Sequence, residues 1–123
     1  MSFPQAEIVC HNGRLVTANQ AHVPVFHPAL YGAYGIYESI QVASGVVFHL
    51  DEHLARLAAS AAILEMPLPH DTTEIAGWIP SLLAASGLSS CLLRLFVLGA
   101  DAGAAGDTFI WAQALPIYPP RFY

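Results

Sequence analysis

Apolar and polar residues alternate over residues 36–42. Ile36, Ile40 and Val42 fall on one side of an extended chain, and Tyr37, Ser39 and Gln41 on the other. Glu38 alone breaks the rule, a carboxylate on the apolar side. Upstream, "EIVCHNGRLV" reads as strand, turn and strand, because Asn12-Gly13 tolerates the positive φ angles of a type I′ hairpin. The intervening "TANQAHVPVFHPALYGAYG" is irregular, broken by Pro24, Pro28, Gly32 and Gly35. A Ser44-Gly45 turn then joins the alternating strand to "VVFH", giving a second hairpin.

The period next lengthens. Leu54, Leu57, Ala61 and Leu64 form one stripe of a helix that Asp51 can cap and whose first turn holds Glu52. His53, Arg56 and Ser60 line up directly beside that stripe, on the edge between core and solvent. Ile75, Trp78, Ile79, Leu82 and Leu83 mark a second helix, begun at Thr72 or Thr73 and stopped by Gly87. Pro80 inside it is expected to kink it or to delay its start. "CLLRLFVL" is apolar on both faces and reads as a central strand carrying Arg94. "GADAGAAGD" is a loop, "TFIWAQA" a last strand, and "LPIYPPRFY" an extended, proline-rich tail. These elements predict an α+β domain with a largely antiparallel sheet and two helices packed on one side. The domain is expected over residues 1–115, with an interdomain linker starting at 116–123.

Composition adds a need for cover. Of 123 residues, 55% are hydrophobic and 11% charged, against about a quarter charged in ordinary soluble domains. A large face is therefore expected to meet a partner. A net charge of −5 leaves no basic stripe for nucleic acid. Residues 75–93 lack charge, yet Gly77, Pro80, Gly87 and four serines make them helix, turn and strand, not a membrane span. The first residues have neither a basic region nor an apolar core of signal type, so a cytoplasmic protein is expected. Cys10 and Cys91 fit free, buried thiols in a reducing compartment. The six histidines scatter without ligand spacing, and no metal site is expected.

The chain has four arginines and no lysine. Arg56, at the rim of an apolar stripe, calls for an anion, either a protein carboxylate such as Glu52 four residues earlier or a ligand. Arg94 in an apolar strand needs a partner as well: an anion in a pocket, or backbone carbonyls around a core arginine. Tyr37 is open between core filling and a role on the polar face, and His53 reads as structural. "GADAGAAG" is too loosely spaced for a phosphate loop.

In order along the chain, "NGRLV", the proline-glycine stretch, "GIYESIQVASG", "FHLDEHLARLAASA" and "LLRLFVLGAD" resemble the class IV (fold-type IV) pyridoxal phosphate aminotransferases. The distinctive pieces are Gly35, the aromatic-Glu pair Tyr37-Glu38, and His-Leu-x-Arg-Leu-x-x-Ser over residues 53–60. The resemblance implies pyridoxal 5′-phosphate as cofactor, with Arg56 binding its phosphate and Tyr37 and Arg94 facing an amino-acid or 2-oxo-acid substrate. It also implies a homodimer. The family's chemistry needs a lysine that forms a Schiff base with the cofactor aldehyde, and none is present. By resemblance that lysine sits in a second domain after the linker, so these residues are expected to act as the N-terminal domain, to contain no catalytic residue, and to be inactive alone. "GADAGAAG" lacks the arginine and histidine that D-amino-acid aminotransferases use there. The branched-chain type is therefore favoured, with an aminodeoxychorismate lyase and a non-catalytic dimerising or anion-binding module of the same fold as alternatives.

Overall fold

The computed structural model describes residues 6–32, 34–99 and 106–115. The expected linker at 116–123, most of the glycine-alanine loop and Ala33 lie outside the described residues. Strands β1 (Ile8–His11) and β2 (Arg14–Thr17) form the first hairpin, with Asn12 at φ 52° and Gly13 at φ 87°. Strands β3 (Gly35–Ala43) and β4 (Val46–Val47) form the second, with Ser44 at φ 49° and Gly45 at φ 78°. Both turns take the left-handed angles that their residue types tolerate. Strands β5 (Cys91–Leu98) and β6 (Asp107–Ala114) complete one six-stranded sheet in the order β2-β1-β6-β5-β3-β4, every neighbouring pair antiparallel.

The stretch read as irregular contains two short elements, a 3-10 turn at Ala18–Gln20 and a one-turn helix α1 (Pro28–Tyr31). The longer helices α2 (Leu50–Ile63) and α3 (Thr72–Ser86) cover one face of the sheet. Leu54, Leu57 and Ala61 of α2 and Ile75, Ile79 and Leu82 of α3 bury against Ile40, Val42, Leu93, Leu95, Val97 and Ile110. The α+β architecture with its helices on one side is as the sequence predicts.

Two helix details differ. His49, at φ 54°, caps α2 in place of Asp51, and its side chain makes no cap bond. The strand before it is only two residues long, so the chain must reverse at once, and it does so through a left-handed residue. Asp51 and Glu52 instead both lie in the first turn, where the helix dipole favours them. Helix α3 neither stops nor starts late at Pro80. Pro80 is exposed, so the carbonyl four residues earlier, on the same side, can turn towards water. Asp71 caps this helix by accepting from the backbone N–H of Glu74 at 2.8 Å, and Gly87 ends it at φ 70°.

Candidate functional site

The carboxylate that broke the strand pattern is the anchor of the site. Glu38, on the helix-covered face of β3, is 7% exposed. A carboxylate so placed must be compensated, and α2 brings two partners. Arg56 Nε donates to Oε1 at 2.9 Å and to Oε2 at 3.2 Å, and His53 Nδ1 lies 3.1 Å from Oε1. Three residues apart on the helix, His53 and Arg56 reach the same carboxylate from one face. The hydrogen bond from Arg56 to Glu38, and then Glu38's charge, raise the guanidinium pKa further, so Arg56 is always cationic.

Glu52 does not pair with Arg56; it bonds His49 Nδ1 at 3.0 Å. His49, Glu52, His53 and Arg56 line an open cleft of about 180 Å³. Arg56 keeps 65% of its side-chain surface exposed and lines that cleft, held by Glu38 through Nε, with Nη2 3.4 Å from His53 Nδ1. A guanidinium fixed on one edge and open on the other is a ready anion site.

Arg94 and Tyr37 are on the opposite face. Register pairs Ser39 with Arg94 and Tyr37 with Phe96. Arg94 Nη1 donates to Ser39 Oγ at 2.6 Å and its Nε to Gln113 Oε1 at 3.4 Å. Among the described residues its side-chain partners are neutral, with no carboxylate beside it. Its partners among the described residues are side chains, the Ser39 hydroxyl opposite it on β3 and the Gln113 amide diagonally across on β6, and no backbone carbonyl. Tyr37 is 64% exposed, its ring 5.7 Å from Phe96, and so is not core filling. Tyr37 and Arg94 thus share a face, while Arg56 lies across the sheet, linked to them through the adjacent Tyr37 and Glu38 of β3. The same outer face holds a groove of about 530 Å³, floored by Phe96, Phe109 and Trp111 and walled by Val23 and Leu30 of the irregular segment.

A second polar cluster ties that segment down. Asp107, at the start of β6, accepts from His27 Nε2 at 2.9 Å on Oδ2, and on Oδ1 lies 2.8 Å from His11 Nε2 and 3.3 Å from Asn12 Nδ2. The backbone N–H of Ala29 donates to His27 Nδ1 at 3.1 Å, so the ring's proton is on Nε2 and points at Asp107. Burial alone would push Asp107's carboxyl pKa up, but the hydrogen bonds from His11, His27 and Asn12 and the charge of His11 bring it below the usual value. No local pattern announced this cluster, since 80 residues separate His27 from Asp107. Cys10 and Cys91 are free and buried, and burial raises the pKa of both thiols. No helix among the described residues is long and apolar enough to cross a membrane.

Comparison with known proteins identifies the family. Residues 35–123 match the family described as amino-transferase class IV. A Methanocaldococcus jannaschii protein provisionally named a branched-chain-amino-acid aminotransferase is 36% identical over 115 residues, 88% of this chain and 40% of that protein. A D-alanine aminotransferase of Bacillus licheniformis is 33% identical over 75 residues, 61% of this chain and 26% of that protein. The crystal structure of the Escherichia coli branched-chain amino acid aminotransferase superposes with a TM-score of 0.84 at 26% identity, covering 93% of this chain and 41% of that one. The chain therefore spans less than half the length of each.

Proposed function

We propose a function from one starting point: the chain belongs to the class IV aminotransferases. In that setting it holds the phosphate end of pyridoxal 5′-phosphate and part of the substrate wall in amino-acid transamination. The observation that carries this reading is the Arg56 guanidinium, anchored at Nε by a buried glutamate and open at its outer nitrogens.

The residues present fit one end of the cofactor. Arg56 offers two parallel N–H groups to phosphate oxygens, and His49 and His53 add ring nitrogens to the same cleft. Bound pyridoxal phosphate supplies the electron sink that lets an amino group leave one carbon skeleton and join another. Arg94, steadied by Ser39 and Gln113, keeps a positive charge on the outer face, where a substrate carboxylate can be met. Tyr37 and Phe96 give the adjoining wall an aromatic surface suited to an apolar side chain and to excluding water. The lysine that the chemistry needs is supplied from outside these 123 residues, so the chain alone carries no transaminase activity.

L-Branched-chain amino acids and their 2-oxo acids are the favoured substrates. The match to the M. jannaschii protein covers more of the chain than the match to the D-alanine enzyme, and "GADAGAAG" offers no cation for a D-substrate's carboxylate. Val25, Phe26, Leu30 and Tyr31, all exposed, suit burial against a second copy, so the working unit is a homodimer. The test is a pair of affinities for protein expressed from its complete reading frame. Arg56→Ala is expected to weaken pyridoxal phosphate binding about ten- to a hundredfold and to leave pyridoxal, which has no phosphate, unchanged. Equal affinities of wild type and variant for pyridoxal phosphate would refute the assignment.

A further inference from the structure

Glu38 is more than the counter-charge of Arg56. A guanidinium has five N–H groups and two edges that can each grip an anion. Glu38 takes the Nε–H, which forks to both carboxylate oxygens at 2.9 and 3.2 Å. His53 Nδ1, 3.1 Å from Oε1, shares that carboxylate as a second donor. The 3.4 Å approach of Arg56 Nη2 to the same nitrogen is then donor against donor and holds nothing. What stays open is the pair of outer nitrogens. Arg56 is a long, mostly exposed side chain with many rotamers, whereas Glu38 is buried on a strand fully paired to β5. The rigid partner fixes the flexible one.

We propose that Glu38 is the positioning residue of the phosphate site: it clamps the Nε edge of Arg56 so that the outer edge meets the cofactor phosphate already aligned, with His53 holding the carboxylate in place. This rests on Arg56 being the phosphate ligand. The role is distinct from an ordinary ion pair, which would compete with the phosphate for the guanidinium and loosen when it binds. A positioning clamp stays closed.

The experiment uses protein from the complete reading frame and measures the ratio of affinities for pyridoxal phosphate and pyridoxal in wild type, Glu38→Gln and Arg56→Ala. Glu38→Gln keeps the shape and one acceptor but drops the charge, and the ratio is expected to fall about tenfold with pyridoxal affinity unchanged. If Arg56→Ala collapses the ratio and Glu38→Gln leaves it intact, the clamp is wrong and the phosphate assignment stands. If neither variant changes it, both fall. A second readout needs no variant at position 38. The ¹⁵N-detected Nε–H signal of Arg56, assigned by its loss in Arg56→Lys, is expected to stay protected from exchange while pyridoxal phosphate is titrated in. Loss of that protection on binding would mean the cofactor pulls Arg56 off Glu38 and would overturn the proposal.

Discussion

Replacing Asp107 by alanine removes a carboxylate that ties the segment bearing Val23 and Leu30 to the sheet. His27 is 8% exposed and gives its ring proton to Asp107 Oδ2, so the variant leaves a buried donor unpaired. That alone costs about 1–3 kcal/mol. Loss of the half-buried bond with His11 adds to it, for a total of about 2–4 kcal/mol. Asparagine is milder: its oxygen can face His27 while its amide faces His11, whose ring can switch tautomer to accept, so about 1–2 kcal/mol is expected. Urea unfolding at neutral pH reads both values as midpoint shifts at constant slope. Hydrogen exchange is expected to show the amides of Leu30 and Tyr31, bonded to the His27 carbonyl, losing protection first in the alanine variant. The pH dependence has a definite sign. Asp107 has a lowered pKa in the fold, so its contribution is present above the unfolded carboxylate pKa and is lost as pH falls through the lower folded value. The stability gap between wild type and Asp107→Asn should narrow on acidification over that window. An alanine variant within 0.5 kcal/mol of wild type, or a gap that widens in acid, would refute the account of this cluster.

Gly13→Val should destabilise the first hairpin by about 2 kcal/mol or more, because any Cβ there lies 2.8 Å from Trp78 Cε2 at a backbone φ of 87°; thermal unfolding checks it. Ser39→Ala removes the 2.6 Å bond that steadies Arg94 and should raise KM for the amino-acid substrate severalfold, with kcat and melting temperature little changed; steady-state kinetics of the complete enzyme decide. Leu57→Ala, next to Arg56 and 1% exposed, should cost about 2–5 kcal/mol by opening the core beneath α2, read by urea unfolding.

Much of the frame is visible in the residue order because its causes are local. Asn12-Gly13 and Ser44-Gly45 carry the left-handed angles of their turns, and the helical spacing of Leu54, Leu57 and Ala61 marks helix α2. Glu38 was visible as an anomaly. Its partners were not, since they lie 15 and 18 residues away on a different element. A search along the helix alone pairs Arg56 with Glu52, which the structure gives to His49. The left-handed cap at His49 was hidden because a non-glycine residue seldom takes that conformation, and Asp51 looked better by type. The cluster of His27, His11, Asn12 and Asp107 joins chain ends that only folding brings together, and the four-residue helix α1 is too short to show a period.

The most direct measurement is a crystal structure of protein from the complete reading frame with pyridoxal 5′-phosphate bound. The account predicts phosphate oxygens at about 2.7–2.9 Å from the outer nitrogens of Arg56, with Nε still donating to Glu38. A phosphate seated elsewhere, with Arg56 facing open solvent, would contradict it.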